Sequence, residues 1–207
     1  MKKILCFGDS NTYGFVPQKC SRYSKNERWS GILADLLGDE YEILEEGMNN
    51  RTGFYKNPES VKHCALEYLP IYLQNHRDID ICILAVGTND AQFFYDYDEK
   101  VVREGLLGLI NSIREANSKT KIIIVPPVKI KANILDGIFS MYFNLESVEK
   151  IEKSFGIYKE VAKANGCYYL DFNEAVKPSE LDGLHYSKDS HKIIACKVAA
   201  FIKLNNL

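Results

Sequence analysis

Residues 2–14, KKILCFGDSNTYG, set a strand-length apolar run, Ile4 to Phe7, directly against a polar turn flanked by Gly8 and Gly14, with Ser10 inside it. An unbroken apolar run, as opposed to an alternating one, marks a strand covered on both faces. Runs of the same kind recur at Tyr41 to Leu44, Ile79 to Ala85, Ile122 to Val125 and Cys167 to Leu170. Longer amphipathic stretches lie between them. Residues 26–39 place Trp29, Ile32, Leu33, Leu36 and Leu37 at helical spacing, with Gly38 as the stop. Residues 60–76 read as helical, with Pro70 expected to kink or divide the segment. The pattern repeats at 98–118, 147–166 and 187–205, the last with Ser187 placed as its N-cap. Strands alternating with helices predict the α/β class, a mostly parallel sheet sandwiched between helix layers. No repeat or linker interrupts the pattern, so residues 1–207 read as one domain.

Composition excludes several functions. A formal net charge of −2 leaves no broad basic field, so nucleic acid is not an expected partner. No apolar run approaches the roughly 20 residues needed to cross a bilayer. MKKILCF is too short for a signal-peptide core. No membrane partner is therefore expected, and cytoplasmic residence is the default. The six cysteines show no C-x-x-C or C-x-x-H spacing, which argues against a metal site, and they read as small core residues.

Open parallel sheets bind ligands beyond the carboxyl ends of their strands. The segments after the first three runs are GDSNTYG, EEGMNNRTG and VGTND, and DGLHYS follows the fifth. Ser10 sits at a strand-to-helix junction, where a serine is often no more than a helix cap. Asp182 and His185, three residues apart, change that reading, because the carboxylate can orient one ring nitrogen while the other faces a nucleophile. The side chain of Asn89 and backbone amides at Ser10 and in GMNNRT then complete the set needed for acyl transfer: nucleophile, base, orienter and oxyanion hole. Asp9 and Asn11 flank the nucleophile, Asp9 as a brace of the turn and both as pocket candidates. Arg51 is placed either to meet a substrate carboxylate or in a structural salt bridge. Phe93 and Phe94 are candidates for the wall of an acyl or aryl pocket, with plain packing as the alternative. His63, His76 and His191 read as surface or satisfied helical histidines. Residues 126–147, with their prolines and the aromatic cluster GIFSMYFN, read as a loop packed on the core, a lid or a subunit contact.

GDSNTYG with Ser10, EEGMNNRT with Gly47, GTND with Asn89, and DGLHYS with Asp182 and His185 resemble, in order, the four sequence blocks of the SGNH (GDSL-type) hydrolase superfamily. ILCFGDSNTYGFVP, ERWSGILADLLG, EILEEGMNNRT and DICILAVGTND are similar to its bacterial arylesterase and acyltransferase branch. The resemblance implies a three-layer, flavodoxin-like α/β/α fold with a five-stranded parallel sheet, and ester hydrolysis without a cofactor. It implies that Ser10 is acylated, that His185 carries the proton and that Asp182 orients His185. The oxyanion hole it implies comprises the amides of Ser10 and Asn50 and the side chain of Asn89, with Gly47 as the alternative in the second block. Where the family places a second glycine this chain has Asn50, the non-glycine type that best tolerates positive φ. Relatives favour small acyl groups, chiefly acetyl, on aryl, alkyl or sugar alcohols, some transfer the acyl group, and they tend to assemble as homo-oligomers.

Two alternatives remain open on the residues alone. A carbohydrate O-deacetylase shares the mechanism and differs in the alcohol recognised. A non-catalytic flavodoxin-like binding protein explains the GDSNTYG turn as an anion site but leaves DGLHYS without a purpose.

Overall fold

A computed structural model describes residues 1–56, 58 and 60–207 of the chain. Five parallel strands, β1 (Lys2–Gly8), β2 (Tyr41–Gly47), β3 (Ile81–Ala85), β4 (Lys121–Val125) and β5 (Tyr168–Tyr169), form one sheet in the order β2-β1-β3-β4-β5. Helices α2 (Trp29–Leu37) and α6 (Lys188–Leu204) pack together as one covering layer. On the other side, α3 (Ala65–Gln74), α4 (Glu99–Ala116) and α5 (Leu145–Ala164) form the second. The one-turn helix α1 (Ser10–Tyr13) sits at the end of β1. This is the expected three-layer arrangement with flavodoxin-like strand order. Ile4, Leu5, Cys6 and Phe7 have no solvent exposure, as an unbroken apolar run covered on both faces requires.

Two local expectations resolve differently. Pro70 lies inside an uninterrupted α3, and the segment divides instead at Cys64, whose backbone is extended. A parallel bridge with Thr52 holds it there: Thr52 N donates to His63 O and Ala65 N donates to Thr52 O, each at 2.9 Å. The fifth strand shrinks to Tyr168–Tyr169, since only these pair with β4. Ser187 caps α6 as expected, accepting from Ser190 N at 3.2 Å.

The chain moves from β1 outward to β2 and then crosses to β3 on the opposite side of β1. The chain after β1 runs to the α2/α6 layer and the chain after β3 to the opposite layer, so a crevice opens between the loops that leave these strands at their carboxyl ends. Gly8 and Gly47 are register partners at that end. A Cβ on Gly47 would collide with the backbone of Thr12 and Tyr13, so its absence lets the Ser10 turn lie directly on the end of β2.

His191, within α6, is fully buried; its Nδ1 accepts from Trp29 N at 3.3 Å. Burial, with a smaller contribution from the nearby His185 imidazole, pushes its pKa down to about 3. An unfolded histidine takes up its proton below about pH 6.5. Stability is thus complete above pH 6.5 and falls as the pH drops towards 3, by about 1.4 kcal/mol per pH unit from this group. Urea midpoints measured between pH 7 and 5 are expected to fall. The fall should be shallower in His191→Gln, whose amide oxygen can still accept from Trp29; an equal slope in both proteins contradicts the assignment.

Candidate active site

Asp9 caps α1, its carboxylate accepting from Asn11 N at 2.9 Å, and this raises Ser10 at the start of the turn beyond β1. The loop 182–186 approaches from the far end of the chain. Gly183, at φ +68°, turns it so that Asp182 Oδ1 accepts from Leu184 N at 3.0 Å and from His185 N at 2.9 Å. The second oxygen, Oδ2, then lies 2.9 Å from His185 Nδ1, and His185 Nε2 lies 2.9 Å from Ser10 Oγ. Burial alone would raise the Asp182 carboxyl, but the bonds from the His185 ring and the two backbone N–H groups hold it below its ordinary value. An ionised Asp182 accepts from Nδ1–H, which leaves Nε2 unprotonated and able to accept the Ser10 hydroxyl proton.

Asn89 begins a short turn after β3. Its Nδ2 donates to Arg51 O at 3.0 Å, joining the loops after β2 and β3. Asn50 adopts φ +58°, the left-handed conformation its residue type tolerates. Ser10, Asn50, Asn89 and His185 share the lining of one cavity of about 230 Å³. Asn49 and Gln92 complete its polar side, and Phe15, Phe139, Tyr142, Phe143 and Leu184 supply apolar walls. The Phe15 ring centroid lies 4.4 Å from that of His185, and the Phe139 centroid 5.3 Å from it.

The remaining sequence candidates stand elsewhere. Arg51 is 1% exposed; it donates to Lys62 O at 2.9 Å, Gly8 O at 3.0 Å and Glu46 O at 2.5 Å, and stacks on Phe7. Its Nε and Nη1 donors go to these backbone carbonyls, its Nη2 lies 3.9 Å from Glu46 Oε2, and the residue does not line the cavity, so the structural reading holds and not the substrate one. Burial lowers its pKa to about 10, still well above neutrality. Asp9 faces a separate void of about 20 Å³ beside Trp29 and Phe172. Asn11 lines the same void and reaches across to the His185 loop, Nδ2 donating to Leu184 O at 3.2 Å and Oδ1 accepting from Tyr186 N at 2.9 Å. Phe93 and Phe94 are about half exposed and pack on each other, Phe94 also on the Tyr142 ring, and neither lines the cavity. Gly47 does not line it either; it serves the close packing of α1. The aromatic walls come largely from residues 139–143, which sequence reading left among loop, lid and subunit contact. Phe15 and Gln92 carried no signal, because nothing in their local sequence shows that they meet His185 or Asn89.

Residues 6–193 match the GDSL-like lipase/acylhydrolase family. The chain belongs to that family. Its fold superposes on the inhibitor-bound aryl esterase of M. smegmatis with a TM-score of 0.90, 25% identity and 99% coverage of each chain. A carbohydrate acetylesterase from Sinorhizobium meliloti gives 0.86, with 26% identity over 99% of this chain and 100% of that one. The lipase/acylhydrolase of Enterococcus faecalis, 20% identical with a TM-score of 0.71 over 99% and 97% of the two chains, shares the fold. No curated protein sequence matches. Family and neighbours together make this SGNH hydrolase a carboxylic ester hydrolase. Among the described residues no group of three or more His, Cys, Asp or Glu side chains is arranged to hold a metal ion, and no helix is long and apolar enough to cross a membrane.

Asn11 clamps the His185 loop of the hydrolase to its Ser10 turn. Asn11→Ala leaves a buried Tyr186 N–H unpaired, which costs about 1–3 kcal/mol in urea unfolding. A displaced His185 is expected to lower turnover about tenfold or more. Wild-type turnover in folded Asn11→Ala contradicts the clamp.

Proposed function

We propose that the enzyme hydrolyses small, uncharged esters, chiefly acetyl esters of aryl or alkyl alcohols, through an acyl-Ser10 intermediate. The continuous hydrogen-bonded series from Ser10 Oγ through His185 to Asp182, ending in a cavity, carries this reading. Ser10 Oγ attacks the ester carbonyl and gives its proton to His185 Nε2, while Asp182 stabilises the imidazolium. The amides of Ser10 and Asn50 and the free Nδ2 hydrogen of Asn89 receive the oxyanion. His185 returns the proton to the departing alcohol, and water, or an acceptor alcohol, then releases the acyl group.

The cavity supports the choice of substrate. At about 230 Å³ it is smaller than the roughly 300–1,000 Å³ of sites for drug-sized ligands. Its lining includes no Asp, Glu, Lys or Arg, and four aromatic rings give an apolar alcohol or acyl group its surface. The polar side made by Asn49, Asn50 and Gln92, together with the likeness to the S. meliloti carbohydrate acetylesterase, supports acetylated sugars as a second substrate class. A panel of p-nitrophenyl esters from acetate to octanoate, run beside peracetylated sugars, separates the two. The first class predicts highest kcat/KM on aryl acetates with a decline as the acyl chain lengthens.

Ser10→Ala and His185→Ala are each expected to lose several powers of ten in turnover of p-nitrophenyl acetate, and the double variant should be hardly worse, because the groups act as one unit. Retention of more than about a tenth of wild-type turnover by folded Ser10→Ala refutes the acyl-serine mechanism.

We also infer a cytoplasmic homo-oligomer. Ile138, Met141 and Leu145, each more than 60% exposed, lie on the stretch that walls the cavity, and an apolar patch of this kind supports self-association. Light scattering at micromolar concentration is expected to give a multiple of the 23.6 kDa chain mass; the mass of one chain refutes it.

A further inference from the structure

Gln92 follows Asn89 by three residues, is 4% exposed and borders the cavity. Its Nε2 donates to Asn50 Oδ1 at 3.1 Å and to Asn89 Oδ1 at 3.2 Å. An amide nitrogen carries two hydrogens and no acceptor, so both hydrogens are committed to these two oxygens. The neighbouring charged groups do not compete for them. The Arg51 guanidinium donates to the carbonyls of Gly8, Glu46 and Lys62, and the Asp90 carboxylate accepts from the amides of Gly53, Phe54 and Tyr55.

The two ends of an asparagine amide have nearly the same shape but opposite hydrogen-bonding character. A donor on one side therefore dictates which end faces the other way. We propose that Gln92 is the positioning residue of the oxyanion hole. By holding the Oδ1 atoms of Asn50 and Asn89, it ties the loop after β2 to the turn after β3. It also keeps the Asn89 Nδ2 towards Arg51 O, with its second hydrogen available to the substrate oxygen. The inference rests on the acyl-Ser10 reading and adds to it the residue that sets the polarity of the hole.

The test uses p-nitrophenyl acetate with wild type, Ser10→Ala, Asn89→Ala, Gln92→Met, Gln92→Glu and the Asn89→Ala/Gln92→Met double variant, each checked by thermal melt. Gln92→Met keeps length and removes the donor; kcat is expected to fall about tenfold or more, with KM within about twofold, because the interaction lost belongs to the transition state. In the Asn89→Ala background the same change should cost clearly less than in wild type, since one of its two targets is gone and only the bond to Asn50 Oδ1 is left to lose. Gln92→Glu preserves shape but turns an acceptor towards two acceptors. It should reverse the Asn89 amide and cost as much as deleting it, about 100-fold to 1,000-fold. If Gln92→Met fails to fold, Gln92→Glu alone decides. A folded Gln92→Glu with kcat within threefold of wild type, or Gln92→Met losses that multiply with those of Asn89→Ala, overturns the proposal. Turnover that survives Ser10→Ala overturns the acyl-serine reading as well, whereas Ser10-dependent turnover indifferent to Gln92 overturns this inference alone.

Discussion

The buried guanidinium of Arg51 is the interaction on which the site depends. Removing a cation from water is costly unless it finds partners, and here three backbone carbonyls take three of its five N–H donors while its face stacks on Phe7. Two of those carbonyls, Gly8 and Glu46, belong to the ends of adjacent strands, and the third, Lys62, precedes α3. One side chain thus fixes where the loop after β2 leaves the sheet, and with it the positions of Asn49 and Asn50. The Arg51 carbonyl in turn accepts from Asn89, so the same residue anchors the loop after β3. Glu46 lies only 3.9 Å from the guanidinium, but burial raises its carboxyl above the ordinary value, which makes the carbonyls the firmer partners.

Ser10 and His185 are 175 positions apart and reach hydrogen-bonding distance because each sits on a short, self-braced segment. Asp9 caps the first and Asp182 the second, and Asn11 bonds one to the other. Asp90 performs a comparable service for the loop after β2, accepting three backbone amides from 53–55; burial pushes its carboxyl up to about 6 even so. These segments are thus held by buried side-chain-to-backbone bonds, while the sheet supplies the platform.

The walls of the cavity obey a different logic. Phe139, Tyr142 and Phe143 come from the irregular stretch after β4, and Phe15 from the segment after α1. Such segments can change length and composition without disturbing the sheet.

Period and punctuation in the sequence determined the strands, the main helices, the parallel sheet and the four polar segments at its carboxyl edge, because these follow from local burial patterns and from turn chemistry. The residue types at Ser10, Asn89, Asp182 and His185 were legible for the same reason: their chemistry is intrinsic to the side chain. Tertiary structure alone decided the roles of Arg51, Gln92, Phe15 and the 139–143 stretch. A guanidinium beside a site can face a substrate or three carbonyls, and a glutamine can face solvent or two asparagines. The choice depends on groups brought near by folding from distant parts of the chain, which local sequence does not encode.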